Sequence, residues 1–103
     1  MESEAPMSEA LILEFKGTQA EYDSVNEILG IDPTTGHGDW PAGLLNHVAA
    51  TSASGNLVVV EVWDSQASQG NFMSRLGPAL EKIGMGAPDR QEWLSVIGTY
   101  HTH

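Results

Sequence analysis

The most constraining feature of the sequence is the seven-residue run Leu57-Val-Val-Val-Glu-Val-Trp63. β-Branched residues dominate it, which is typical of a strand. Side chains alternate between the two faces of a strand. One face therefore receives Val58, Val60 and Val62, and the other receives Leu57, Val59 and Trp63. Because both faces are apolar, the sheet containing this strand must be covered on both sides.

Five further segments surround this strand in a chain of 103 residues. A buried run over residues 10–15, a run over 44–51 and a run over 93–100 are predicted strands. A capping box of Thr18 and Glu21 begins a helix that ends near Leu29. A second helix follows a cap at Asp64 or Ser65, and Gly77-Pro78 is expected to kink or split it. The order predicts a ferredoxin-like βαββαβ fold, α+β in class, with a four-stranded antiparallel sheet and two helices on one face.

Two helices on one face leave the other apolar sheet face without cover. A sheet that is hydrophobic on both faces needs a partner, and the simplest partner is a second copy of the same chain. We therefore expect a homodimer built from one domain over residues 9–103. Residues 1–8 are acidic and polar and are expected to form a disordered tail.

Composition excludes several classes of function. The formal net charge is −10, with only four Lys and Arg residues, so no basic cluster exists for nucleic acid or an anionic membrane. Cysteine is absent, which excludes disulfides and thiolate metal sites. No apolar run approaches the roughly 20 residues of a membrane span, and the acidic start lacks a signal-peptide pattern. A cytoplasmic protein is expected.

The long connection over residues 31–43 is a candidate lid. It carries the segment His37-Gly-Asp39-Trp40, in which an imidazole, an acid and a large aromatic lie close together. Connections of this length are often functional. The same segment could be a metal half-site, or a turn in which Trp40 packs as an anchor, and the residues alone leave these alternatives open.

The strand over residues 57–63 also carries one acid among its valines. Glu61 shares parity with Val59 and Trp63. If the hairpin pairs residues whose numbers sum to about 108, His47 lies opposite Glu61, and the two could transfer protons. The alternatives are a solvated rim carboxylate and a core histidine bonded to a backbone carbonyl. Tyr22 and Trp93 are expected to be packing residues.

The sequence resembles the dimeric α/β-barrel proteins, in particular their antibiotic-biosynthesis-monooxygenase-like branch. The resemblance is carried by Trp40-Pro-Ala-Gly-Leu-Leu-Asn-His47, by Gly55 to Ser65 and by Phe72 with Leu76-Gly-Pro-Ala-Leu80. It implies a cofactor-independent monooxygenase acting on an aromatic or polyketide-like substrate in an apolar pocket. In that pocket His47, Glu61 and Trp63 would be catalytic, and Trp40, Asp39, Val59 and Phe72 would bind the small apolar or aromatic ligand.

The sequence departs from the family pattern at two places. Haem-degrading relatives use a histidine where this chain has Met73 and Ser74, so no haem, other cofactor or metal is expected. Polyketide oxygenases place an asparagine and a tyrosine where this chain has Val59 and Gln69. The alternative function is therefore a non-catalytic ligand-binding or stress-response module of the same fold.

Overall fold

A computed structural model describes residues 8–99 of the chain. The elements are β1 (Glu9–Phe15), α1 (Gln19–Leu29), β2 (Leu44–Thr51), β3 (Leu57–Trp63), α2 (Gln66–Ile83) and β4 (Arg90–Ser95). All neighbouring strands are antiparallel, and their order in the sheet is β2-β3-β1-β4. The predicted ferredoxin-like fold is confirmed.

The tail predicted over residues 1–8 lies outside the described residues except for Ser8. The Ser8 carbonyl accepts a hydrogen bond from the Val96 amide at 3.3 Å, so this residue is tied to the chain that follows β4. Within residues 8–99, neither helix combines the length and the apolar character that crossing a lipid bilayer requires.

Both helices begin at capping residues that the sequence predicted. Thr18 Oγ1 accepts from the Glu21 amide at 3.2 Å, and Glu21 Oε1 accepts from the Thr18 amide at 2.9 Å, which completes the predicted capping box. Ser65 caps α2. Helix α2 then continues through Pro78 as a single element, so the helix is not split there. Phe72 and Ala79 are buried on either side of the Gly77-Pro78 step, so the helix faces the core both before and after it.

The alternation of β3 separates a core face from an outer face. The core face of this strand is formed by Leu57, Val59, Glu61 and Trp63, all of which are buried. The two helices lie over this face, where α1 and α2 also contact each other. On the outer face Val60 and its neighbour Val48 on β2 remain exposed, Val48 to 53%.

The predicted bounds of the last strand were wrong. Residues 93–100 were expected, whereas β4 spans Arg90–Ser95, and Tyr100 lies outside the described residues. The cause is the partner strand. The pairing runs from Glu14 opposite Arg90 to Glu9 opposite Ser95, so the antiparallel strand β4 ends where β1 begins.

Candidate functional site

The β2–β3 hairpin brings His47 directly opposite Glu61. Residues 52–56 close the hairpin, with the Ser52 amide donating to the Asn56 carbonyl at 2.9 Å. Before His47 the strand carries a bulge, because Leu44 pairs with Trp63 but Asn46 pairs with Val62. The extra residue, Leu45, lets Leu44 and His47 both turn toward the core face. The predicted register is therefore confirmed.

Glu61 is a buried carboxylate with a donor on each oxygen. Only 5% of the residue is exposed. Its Oε2 lies 3.1 Å from Nδ1 of His47, and its Oε1 accepts a hydrogen bond from Trp63 Nε1 at 3.0 Å. These partners offset the cost of placing a charged group among apolar side chains. Glu61 is thus not the solvated rim residue that the sequence left open.

Tyr22 extends the hydrogen-bonded group into helix α1. Its hydroxyl lies 2.6 Å from Nε2 of His47, and the two rings are stacked with an interplanar angle of 9°. Tyr22, His47, Glu61 and Trp63 therefore form one continuous chain, which we call the relay. Its members come from α1, β2 and β3, so the fold itself assembles it.

The direction of each hydrogen bond in the relay follows from which groups can only donate and which can only accept. The Trp63 indole nitrogen can only donate, so the Glu61 carboxylate accepts there. An ionised carboxylate can also only accept on its other oxygen, which places the proton of His47 on Nδ1. Nε2 of a neutral His47 then carries a lone pair and accepts the Tyr22 proton. Burial raises the pKa of Tyr22 above its usual 10.0, so the phenol keeps that proton.

A cavity of about 50 Å³ lies between the sheet and the helices, next to the relay. Its wall is mostly apolar and includes Leu13, Val25, Leu29 and Leu76. The polar side chains in it are Tyr22, Asn26, His47 and Glu61. A cavity of roughly 150 Å³ is known to accept benzene. An aromatic ligand can therefore enter only if a lining side chain moves.

Trp40 is the lining residue best placed to move, because it belongs to the connection over residues 31–43. Its ring lies against His47 with centroids 5.4 Å apart, and its indole nitrogen donates to the His37 carbonyl at 3.1 Å. The backbone of the connection over residues 31–43 is held in place by contacts of its own. Ile31 and Gly38 form a β-bridge, and a side chain at Gly38 would collide with the Gly30 carbonyl.

Arg75 of α2 holds this connection against the helices. Its Nη2 donates to the carbonyls of Leu29 at 3.0 Å and Asp39 at 2.7 Å. Its guanidinium also lies 5.4 Å from the centre of the Phe72 ring. The backbone around Trp40 is therefore fixed by one side chain that crosses from α2.

The structure places the predicted site residues in three ways. His47, Glu61, Trp40, Val59 and Phe72 line the cavity. Trp63 is fully buried and lies behind Glu61 instead of lining the cavity, which differs from its expected position. Asp39 also differs, because its side chain is 81% exposed and lies 3.4 Å from Arg75 Nη2, outside the cavity.

Two polar residues of the site were missed by the sequence interpretation. Tyr22 was expected to pack only, yet its hydroxyl ends the relay. Asn26, one helical turn later, is buried and lines the same cavity. The available signal was their spacing, since residues four apart share a helix face with Val25 and Leu29 nearby. Among residues 8–99, no three His, Asp or Glu side chains are grouped as a metal site would require.

The sequence matches no protein-family model and no curated protein. Solved structures are nevertheless similar over nearly the whole chain. A protein from Chloroflexus aurantiacus, provisionally named an antibiotic biosynthesis monooxygenase, has a TM-score of 0.63 and 20% identity, with 91% of this chain and 97% of that chain covered. A protein of unknown function from Nitrosomonas europaea has a TM-score of 0.63 and 11% identity, with 95% and 97% covered.

A third structure is described as a dimeric ferredoxin-like protein from an uncultured marine organism. Its TM-score is 0.52 and its identity 13%, with 97% of this chain and 95% of that chain covered. The chain shares the ferredoxin-like fold of these proteins. At identities this low the likeness concerns the backbone, and function has to be argued from the site.

Proposed function

We propose that the chain is a small-molecule enzyme that removes a proton from an aromatic substrate, with His47 as the general base. One observation carries the proposal: the relay runs from a buried carboxylate to an imidazole and a phenol on the wall of an apolar cavity. Glu61 fixes the tautomer of His47 and stabilises the imidazolium that forms. Trp63 fixes Glu61 in turn.

The substrate proton would reach His47 through Tyr22. The Tyr22 oxygen takes the proton from the substrate while the proton of Tyr22 moves to Nε2 of His47. Because burial raises the pKa of Tyr22, the two transfers would occur together, without a long-lived phenolate. The Tyr22 hydroxyl lies 2.6 Å from Nε2, which is within the distance for direct transfer.

The proposed reaction is oxygenation by O₂ without a cofactor, as the resemblance to the monooxygenase-like proteins implies. A carbanion formed from an aryl CH₂ group passes an electron to O₂, and the two radicals combine to a peroxide. Loss of water then leaves a carbonyl. One oxygen atom enters the product, the other leaves as water, and the substrate supplies all four electrons that reduce O₂.

Oxygen uptake with an anthrone and with a quinol tests the proposal. Glu61→Gln should lower the uptake rate at least about a hundredfold, because Nε2 of His47 then carries a proton and can no longer act as the general base. Glu81→Gln is the matched control, because Glu81 is exposed on α2, away from the cavity lining and from the outer face of the sheet. Equal rates for wild type and Glu61→Gln would refute the relay as the route by which the substrate proton leaves. Binding of the anthrone without any uptake would instead support a non-catalytic ligand-binding module.

We also propose that two copies associate through the outer face of the sheet. That face exposes Val48, Val60 and Leu94, and the residues described here provide no cover for it. A neighbour of the same fold is described as dimeric. An obligate interface would bury at least ~1,500 Å².

Light scattering tests this assembly. The wild type should have twice the chain mass of 11.0 kDa. Val60→Lys should yield monomer, because it places a charge at the centre of the face. Ile97→Lys is the control, since Ile97 is fully exposed beyond β4. A monomeric wild type at micromolar concentration would contradict the proposal.

A further inference from the structure

Asn26 carries a buried donor that the protein itself does not satisfy. The residue is 5% exposed and lines the cavity. Within residues 8–99, its Nδ2 is the buried side-chain polar atom that has no hydrogen-bond partner. Leaving such a donor unpaired destabilises a fold, so an unpaired donor on a cavity wall calls for an explanation.

The position of Asn26 relates this donor to the relay. Asn26 follows Tyr22 by four residues on α1, so the two side chains lie on the same face of the helix. The Asn26 amide is near enough to the Tyr22 phenol to offset part of the rise in its pKa that burial causes. That approach falls short of hydrogen-bond geometry at Nδ2, which has no partner among residues 8–99. A free donor and the phenol of the relay thus share one part of the wall.

We propose that Asn26 Nδ2 donates a hydrogen bond to a ligand oxygen on which negative charge develops. The inference rests on the proposed function and adds a substrate contact to it, which phenols, and aryl ketones that form enolates, can make. An O–H or C–H bond of the ligand breaks, and its proton goes to the Tyr22 oxygen. The electron pair stays on the ligand and is delocalised onto the oxygen that Asn26 contacts, as in an oxyanion hole.

The charges around the cavity restrict the ligand further. None of the lining residues in the described chain is a lysine or arginine, and Glu61 lies in the same wall. A carboxylate or phosphate would be buried there without a cation, which is strongly unfavourable. A neutral phenol or ketone avoids that cost, and its charge appears only when the relay has taken the proton.

Isothermal titration of two matched probes tests the role of Asn26. 4-Nitrophenol forms a delocalised phenolate, whereas 4-nitrotoluene has the same shape with a methyl group in place of the hydroxyl. Asn26→Leu should raise the Kd of 4-nitrophenol about tenfold or more, because a hydrogen bond to a charged oxygen is lost. It should change the Kd of 4-nitrotoluene less than about twofold. Asn71→Leu, on the exposed face of α2, should change neither.

Thermal unfolding gives an independent measurement, in which Asn26→Leu should stabilise the protein although it weakens ligand binding. Asn26→Leu removes the unpaired donor, so its unfolding midpoint should rise while the binding of 4-nitrophenol weakens. If leucine does not fit, Asn26→Ala allows the same comparison between the two probes.

An equal loss of affinity for both probes, or no loss for 4-nitrophenol, would overturn the inference. Failure of both probes to bind the wild type would overturn the inference and the ligand-binding cavity together. Binding of 4-nitrophenol that depends on Asn26, without oxygen uptake on any substrate, would refute the proposed reaction and leave the role of Asn26 standing.

Discussion

Replacement of Glu61 by glutamine should invert the tautomer of His47. Glutamine offers one acceptor and one donor, whereas the carboxylate accepts from both Trp63 Nε1 and His47 Nδ1. The indole can only donate, so the amide oxygen stays on Trp63 and the amide NH₂ turns to His47. Nδ1 of His47 must then accept, and its proton moves to Nε2, which donates to the Tyr22 oxygen.

The structure sets the magnitude of the stability change. In Glu61→Gln every relay contact keeps a complementary partner, so the free energy of unfolding should fall by about 1 kcal/mol or less. In Glu61→Leu the N–H groups of Trp63 and His47 both lose their acceptor. Each unpaired buried group costs roughly 1–3 kcal/mol, and loss of the buried charge offsets part of this. We expect about 2–4 kcal/mol, equivalent to a fall in Tm of roughly 10–25 °C.

Long-range proton–nitrogen NMR checks the tautomer, since the protonated and bare nitrogens of a neutral imidazole resonate apart. The chain has four histidines, and His47→Gln identifies the signals of His47. Melting curves are compared at one protein concentration, because association would shift Tm. An unchanged tautomer in Glu61→Gln, or a Glu61→Leu variant as stable as Glu61→Gln, would refute the deduced hydrogen-bond directions.

Three further predictions concern the surroundings of the site. Because the pKa of Tyr22 is raised above 10.0, the folded state holds a proton that the unfolded chain releases, and stability should fall as pH rises above about 10. Tyr22→Phe should lack this loss, so urea titrations of the two proteins should converge in alkali; a constant gap would argue against a buried phenol. Pro78→Ala should raise the free energy of unfolding by roughly 1–3 kcal/mol, because Pro78 is exposed inside α2 and withholds an amide from the helix. A neutral effect in denaturant titration would mean that the helix is already bent to fit it. Arg75→Met removes the donor to the carbonyls of Leu29 and Asp39, so amides of residues 31–43 should exchange faster with deuterium while those of β1 should not. Unchanged exchange would show that the β-bridge alone holds the connection.

The sequence was sufficient for the fold because its signals are local and agree with one another. Thr18 and Glu21 begin a helix by their own side chains, and alternation along 57–63 places Glu61 on the same face as Val59 and Trp63. The pairing of His47 with Glu61 required an assumed register, in which paired residue numbers sum to about 108, because the loop over 52–56 does not by itself fix the register.

The remaining features depend on contacts between distant segments. The bounds of β4 are set by the residues of β1 that pair with it, and the residues of β4 show no alternation that would reveal those bounds. The bond from Tyr22 to His47 depends on the distance between α1 and β2, which no periodicity reports. The packing of α1 on the sheet likewise decides that Asn26 is buried and that the cavity is smaller than one that accepts benzene.

The three tryptophans lie in different surroundings, so their fluorescence should respond differently when a ligand enters the cavity. Trp63 is wholly buried beside a carboxylate, Trp40 lines the cavity from the connection over residues 31–43, and Trp93 packs on β4 away from the cavity lining. A ligand that displaces Trp40 would alter the exposure of that indole to water and so its fluorescence, while Trp93 supplies a steady background. The chain therefore carries its own optical reporter, and entry into the cavity can be followed in real time without a label.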